Sequence, residues 1–155
     1  MKDTEEVARP RGTTAHEQLA RRFLSAFNHQ DAVAVTAYLT DQATLHIPGS
    51  HQLAGTFTGR AAVMTHLRLL WRQPHSVWRI LACEDWLVSD QRILAIVTMH
   101  VQLPGRRRDW RRCLLFDVHP ATAQAPHDLR IAHVRIFEDD DQTLIDAFID
   151  RSWLS

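Results

Sequence analysis

The apolar residues change their spacing about halfway along the chain, and this change restricts the fold more than any other feature. Residues 15–39 and 60–73 carry them at intervals of three and four, the spacing of amphipathic helices. After about residue 76, four long segments rich in Val, Ile, Leu and Trp are separated by turn signals, which is typical of strands. Helices followed by a run of antiparallel strands predict an α+β fold.

Length and composition restrict the class of protein. The 155 residues suit one domain, expected at residues 14–155 after a flexible tail at residues 1–13. The 18 basic and 18 acidic side chains cancel, which argues against nucleic acid as a partner. No apolar run approaches the roughly 20 residues of a membrane helix, and no signal-peptide core begins the chain. Cys83 and Cys113 are too widely spaced for a disulfide framework, so we expect a cytoplasmic protein without a membrane partner.

Residues 46–60, HIPGSHQLAGTFTGR, form the most heavily punctuated stretch of the chain. Pro48 is expected to end a strand, because proline has no N–H to donate to a ladder. The three glycines of this stretch allow tight turns. The stretch is either purely architectural, or it forms the rim of a pocket that admits a substrate.

Three segments, in this order, resemble the SnoaL-like branch of the nuclear transport factor 2 superfamily: FLSAFNHQDAVAVTAYLTDQATLHIPG, LAGTFTGRAAV and IAHVRIFEDDDQTLIDAF. The resemblance covers about residues 15–148. It implies a cone-shaped, curved antiparallel sheet wrapped around the N-terminal helices, with a pocket at the open end. It also implies a homodimer and relatives such as ketosteroid isomerase and the polyketide cyclases. The fold by itself does not determine the function.

The relatives use polar side chains inside the cone for acid–base chemistry, but the matching positions here are apolar. The base of ketosteroid isomerase falls at Ile47, its oxyanion-hole tyrosine at Phe23 and its protonated aspartate near Leu114. The catalytic aspartate of the epoxide hydrolases and polyketide cyclases falls near Ile136. We therefore do not expect either mechanism to carry over unchanged.

Three other residues are candidate catalytic groups, and strand alternation supplies two of them. Glu84 and Arg112 each interrupt an otherwise apolar set of alternate residues, so both are expected to face the pocket. Glu84 would move a proton and Arg112 would hold a developing anion. The alternatives are a buried ion pair, or a pair at the rim that points to solvent. His46 is a third candidate acid–base group, although alternation could place it on the side opposite Ile47.

The rest of the predicted pocket is apolar or aromatic, and its expected lining is Phe23, Phe27, Tyr38, Ile47, Trp71, Trp110, Leu114, Val134 and Ile136. The ten histidines show no His-x-His or His-Glu-x-x-His spacing, so neither a metal site nor a cofactor is expected. The arginine-rich run GRRRDWRR is expected to be a solvated hairpin. Residues 119–128 are expected to form a flap or a mobile loop.

These features predict a small cofactor-independent enzyme acting on an apolar small molecule, for which secondary metabolism is one setting. Its reaction would be cyclisation, isomerisation, dehydration or epoxide opening, all by acid–base chemistry. The main alternative is a non-catalytic module that binds a small molecule or a partner protein, and a regulatory or assembly subunit is a third. An enzyme needs titratable groups that converge inside the cavity, whereas a binding module needs only shape.

Overall fold

The computed structural model describes residues 14–153 and the side chains of residues 14–150. Its elements are α1 (Ala15–Asn28), α2 (Ala32–Tyr38), β1 (Leu39–Ile47), β2 (Gly55–Thr58), α3 (Arg60–Arg72), β3 (Val77–Ser89), β4 (Arg92–Leu103), β5 (Arg106–Thr122), β6 (Ala125–Glu138) and α4 (Gln142–Trp153). This order confirms the predicted α+β fold. The predicted tail at residues 1–13 lies outside the described residues. None of the described helices has the length and apolar character needed to cross a bilayer.

The six strands form one curved, unclosed sheet in the order β2-β1-β6-β5-β4-β3. Strands β3 to β6 form the predicted antiparallel meander. Strands β1 and β6 are parallel, so the sheet is mixed and not wholly antiparallel. The reason is topological: the chain leaves β1 through β2 and α3, starts the meander at the far edge and returns to β1 with its last strand.

The core lies between the helices and one face of this sheet. On β4 every second residue from Ile93 to Leu103 is buried, as the period of a strand with one covered face requires. The side chain of Phe23 on α1 meets Phe116 on β5 edge to face, with ring centroids 5.7 Å apart. Removal of these apolar side chains from water is the main force that holds the helices on the sheet.

Strand β3 contains two bulges, one between Ile80 and Ala82 and one between Cys83 and Asp85. A bulge adds one residue to a strand, and an added residue reverses which face the following side chains take. Trp78 and Ile80 before the bulges are buried. The residues between the two bulges take the opposite faces from those that simple alternation predicts.

Residues 119–128, expected to form a flap or a mobile loop, form a regular hairpin. Strand β5 continues to Thr122 and β6 begins at Ala125. Strand β4 pairs with β5 only as far as Asp117, so beyond that residue β5 and β6 form a two-stranded ribbon. Each strand of a two-stranded ribbon has one edge without a partner strand. No N–H is needed for pairing at that edge, so Pro120, which lacks an N–H, is tolerated in β5.

Asn28, the last residue of α1, ties that helix to the edge strand β3. Its Nδ2 donates to the Ile80 carbonyl, and its Oδ1 accepts from the Ile80 amide, both at 2.8 Å. We expect Asn28→Ala to lower the free energy of unfolding by about 2 kcal/mol, because two half-buried hydrogen bonds are lost. Urea denaturation measures this loss. Amide exchange at Ile80 should accelerate in the variant, and unchanged exchange there would contradict this role.

Candidate active site

The sheet and the helices enclose a cavity of about 60 Å³. A volume of this size corresponds to about two waters, and it is less than half of the roughly 150 Å³ of a cavity that binds benzene. Six of the predicted residues line it: Phe23, Phe27, Ile47, Leu114, Val134 and Ile136. Ten further residues complete the apolar part of the lining: Leu24, Leu45, Leu53, Val63, Leu67, Leu70, Trp78, Ile80, Met99 and Ile149.

Three aromatic residues predicted to line the pocket lie elsewhere. Trp71 is one helical step of about 100° past Leu70 and packs on Phe27, outside the cavity. Trp110 is buried, but its ring packs against Phe148 of α4. Tyr38 is half-buried and borders a separate surface groove beside α1 and the β5–β6 ribbon. The predicted pocket roles of these three residues are therefore wrong.

Within residues 14–150, three polar or charged residues are buried when backbone and side chain are taken together. All three line this cavity. They are His51, His66 and Arg112, with 4%, 5% and 5% of their surface exposed. Burial of a polar group is costly unless the group is hydrogen-bonded. The convergence of these three residues on one apolar cavity is what an enzyme site requires and a packed core does not.

Arg112 is held at the cavity wall by a buried ion pair with Glu138, its cross-strand partner on β6. Its Nη2 donates to Glu138 Oε1, and its Nε donates to Glu138 Oε2 at 3.3 Å. Glu138 Oε2 also accepts from Trp110 Nε1 at 2.7 Å. Arg112 lines the cavity, and its carboxylate partner is Glu138 and not Glu84. The third guanidinium nitrogen, Nη1, makes no hydrogen bond with residues 14–150.

Glu84 lies on the outer face of the sheet, so the prediction that it faces the pocket is wrong. Its carboxylate accepts from Thr98 Oγ1 at 3.0 Å and lies 3.5 Å from Arg111 Nε. Glu84 sits within the second bulge of β3, where the side-chain faces are reversed.

His46 also lies on the outer face, and its predicted place at the pocket is wrong. The residue is exposed, whereas its neighbours Leu45 and Ile47 on β1 are buried. Its Nδ1 is hydrogen-bonded to Thr56 Oγ1 at 2.8 Å. Strand alternation alone explains this placement.

His51 enters the cavity from the punctuated stretch, and its ring is oriented by the backbone. The Leu53 amide donates to His51 Nδ1 at 3.1 Å, so the proton of the neutral ring is on Nε2. Nε2 lies 4.0 Å from Asp146 Oδ1 and has no hydrogen-bond partner within residues 14–150. Burial lowers the pKa of His51, and the nearby Asp146 opposes this only in part. His51 therefore presents a neutral N–H donor.

His66 enters the same cavity lining from α3. Its ring stacks on Phe57, with centroids 4.1 Å apart. Burial, and then repulsion from His51, lower the pKa of His66 to about 4. The ring is neutral at physiological pH, and its buried Nε2 has no partner among the described side chains and backbone. The Trp78 indole N–H, also in the lining, is likewise unpaired in this part of the chain.

The loop that carries His51 is fastened to α4. The Ser50 amide and hydroxyl donate to Asp146 Oδ2 at 3.1 and 2.9 Å. The Gln52 amide donates to Asp150 Oδ1 at 3.0 Å. The stretch is thus more than a connection, because its attachment to α4 holds His51 and Leu53 in the lining.

His51 and His66 do not lie on strands, so strand alternation could not identify them. His66 falls at helical spacing with Val63, Leu67 and Leu70, so the apolar side of α3 held a signal that could have identified it. His51 lies in an irregular turn, where no period predicts a direction. Within residues 14–153, no group of three His, Cys, Asp or Glu side chains could hold a metal ion.

Burial of His66 makes the stability of the protein depend on pH. Its folded-state pKa of about 4 lies below the ordinary value of 6.5. The contribution of neutral His66 to the free energy of unfolding is therefore complete above about pH 6.5. It is lost as the pH falls toward 4, because the unfolded chain binds the proton first. When the pH falls from 7.5 to 4.5, we expect the free energy of unfolding of His66→Phe to fall by about 2 kcal/mol less than that of wild type. Urea denaturation at both pH values tests this, and parallel losses would contradict it.

Comparisons with known proteins agree with this fold. A family model described as a SnoaL-like domain matches residues 20–121. A Xanthomonas campestris protein of unknown function with a cystatin-like fold is 23% identical, with a TM-score of 0.75 over 89% of this chain and 100% of that chain. A nuclear transport factor 2-like protein from Burkholderia pseudomallei is 20% identical, with a TM-score of 0.70 over 88% and 98%.

A third solved structure has a provisional function. It is a protein provisionally assigned as a polyketide cyclase, from Xanthomonas campestris pv. campestris. It is 18% identical, with a TM-score of 0.66 over 86% of this chain and 96% of that chain. No match is found among curated proteins. At these identities the structural likenesses show the fold alone.

Proposed function

Because the chain belongs to the SnoaL-like family, we propose that it is an enzyme that carries out acid–base chemistry on a small, largely apolar carbonyl compound. The observation that carries this proposal is the convergence of His51, His66 and Arg112 on one apolar cavity. The likeness to a protein provisionally assigned as a polyketide cyclase supports the same class, which includes isomerisation and cyclisation.

Each of the three groups suits one part of a proton transfer at a carbon next to a carbonyl. The neutral His66 accepts the proton at Nε2, the electron pair of the broken C–H bond forms a C=C bond, and the carbonyl oxygen becomes negative. His51 Nε2–H and Arg112 donate hydrogen bonds to that oxygen. After its N–H has exchanged with solvent, His66 delivers a solvent-derived proton to the same carbon, which completes an exchange. Delivery of the proton to another carbon completes an isomerisation, and either step regenerates the neutral ring.

The size and polarity of the cavity restrict the substrate. A volume of about 60 Å³ is too small for a ring, so a compound of that size enters only when side chains of the lining move. The lining offers hydrogen bonds from the two histidines, Arg112 and the Trp78 indole, and is otherwise hydrocarbon. The guanidinium of Arg112 is already neutralised by Glu138, so the cavity suits a neutral carbonyl group whose negative charge develops only during the reaction.

Cyclopentanone, a small apolar ketone whose entry requires the lining side chains to move, provides a test. Its α-protons should exchange with deuterium in D₂O faster with the protein than in buffer, as measured by proton NMR. We expect His66→Phe to slow this exchange by about a hundredfold, because the proton acceptor is lost. His46→Phe is the matched control, since it removes an exposed histidine on the outer face, and it should exchange at the wild-type rate.

Two results would contradict the proposed function. Exchange no faster than in buffer would leave no evidence for the acid–base reaction. Equal exchange by wild type and His66→Phe would remove His66 from the mechanism. Saturable binding of cyclopentanone without any exchange would favour the alternative, a binding module of the same fold.

A further inference from the structure

The outer face of the sheet carries a group of basic side chains that the proposed active site does not use. We call it the outer-face cluster, and it consists of His46, Arg92, His133 and Arg135. These residues line a surface pocket of about 340 Å³ whose other polar members are Thr44, Thr56 and Asp117. The pocket lies on the side of the sheet opposite the cavity.

The strand register explains why these side chains meet. His46 on β1 is the direct neighbour of Arg135 on β6, and Thr44 is the neighbour of His133. On the other side of His133, Asp117 follows on β5 and then Arg92 on β4. Facing side chains on neighbouring strands are about 5 Å apart, and those two residues apart along a strand are about 7 Å apart. This spacing suits one group of a few heavy atoms.

The hydrogen bonds within the pocket leave its donors available. Arg92 Nε donates to Asp117 Oδ1 at 3.0 Å, which neutralises the acidic residue of the lining. Thr56 Oγ1 is bonded to His46 Nδ1, and Thr44 Oγ1 to His133 Nδ1, so the Nε2 atom of each ring is left over. Arg135 is exposed and makes no ion pair or hydrogen bond with the described residues. One unpaired guanidinium and two imidazoles therefore border the pocket.

We propose that the outer-face cluster is a binding site for an oxyanion, the phosphate or carboxylate group of a small molecule. Arg135 supplies a planar fork of N–H donors that matches two oxygens of such a group. With the Thr56 and Thr44 hydroxyls donating to the Nδ1 atoms, the Nε2–H groups of His46 and His133 supply donors from the neighbouring positions. The site is independent of the proposed reaction, because it lies on the other face of the sheet.

The test measures binding of inorganic phosphate, and separately of acetate, to the full-length protein at constant ionic strength. Proton NMR follows the imidazole Cε1–H signals of His46 and His133, which are assigned from His46→Gln and His133→Gln. We expect saturable shifts of both signals. Arg135→Gln should raise the Kd by at least about tenfold, because a charged bidentate contact is lost. Asp117→Asn should lower the Kd, because it removes the negative charge beside the anion.

Arg68→Gln is the matched control, since it removes an equal charge from the exposed side of α3. It should bind with the wild-type Kd. Saturation by phosphate alone identifies a phosphate site, and saturation by both anions identifies a general oxyanion site. No saturable shift with either anion would overturn the proposal, as would equal weakening by Arg68→Gln. Should Arg135→Gln fail to fold, an unchanged Kd in Asp117→Asn would overturn the proposal.

Discussion

Replacement of Arg112 by methionine is expected to lower the free energy of unfolding by about 3–5 kcal/mol. The variant leaves Glu138 with a side chain that is only 2% exposed and with no cation to balance it. Trp110 Nε1 would remain as its hydrogen-bond donor, which is not enough to replace the solvent that the carboxylate has lost. Urea denaturation measures the loss, and circular dichroism shows whether the variant folds.

Arg111→Met is the matched control, because Arg111 is the preceding residue on β5 and also contacts carboxylates. Its side chain is 53% exposed and lies 3.1 Å from Asp139 and 3.5 Å from Glu84. Solvent screens such pairs, so we expect a loss of about 1 kcal/mol or less. The double variant Arg112→Met/Glu138→Leu should recover most of the stability lost in Arg112→Met, since no charge is then left buried. Equal losses in the two single variants would contradict the buried ion pair.

Gly49→Ala is expected to have an effect of similar size, about 3–5 kcal/mol, for a different reason. Gly49 has φ +110°, a backbone conformation that residues with a Cβ rarely adopt. A Cβ at this position would lie 2.4 Å from Asp146 Oδ1 and 2.5 Å from Gln142 Nε2. The ends of the Asp146 and Gln142 side chains must therefore turn away, and the hydrogen bonds that Asp146 accepts from Ser50 are lost with them.

Gly105→Ala separates backbone strain from this contact. Gly105 has φ +74° in the turn before β5, and a Cβ there would have no neighbour within 4 Å. Only the strain remains, about 1–2 kcal/mol. The two variants are compared by urea denaturation. Losses of equal size would show that the packing of Gly49 against Asp146 contributes nothing to stability.

The order of the elements could be predicted from the sequence because each has a local cause. The helical stripe that includes Phe23 and Phe27, and the end of β1 at Pro48, follow from side-chain spacing and from the chemistry of proline. The parallel pairing of β1 with β6 could not be predicted in this way, since it depends on where the last strand returns. The hairpin at residues 119–128 was missed because prolines in general argue against strands. Proline excludes a strand only where both of its edges are paired, and here one edge is free.

The candidate site was predicted in part, and each error has a physical origin. Arg112 lies on a regular part of β5, where alternation gives the correct face. Glu84 lies at a bulge, which depends on long-range pairing and carries no local signal in this sequence. His51 reaches the cavity only because Asp146 and Asp150 fasten its loop to α4, a contact nearly a hundred residues away in sequence. Such contacts are visible only once the chain has folded.

The central claim is that the cavity of His51, His66 and Arg112 receives a small molecule. The most direct measurement is a titration with cyclopentanone that follows the imidazole signals of the histidines by NMR, with each signal assigned by substitution. We expect saturable shifts of the His51 and His66 signals and unchanged signals of His46 and His133 on the outer face. Unchanged signals of His51 and His66 at saturating ketone, or shifts confined to the outer-face histidines, would contradict it.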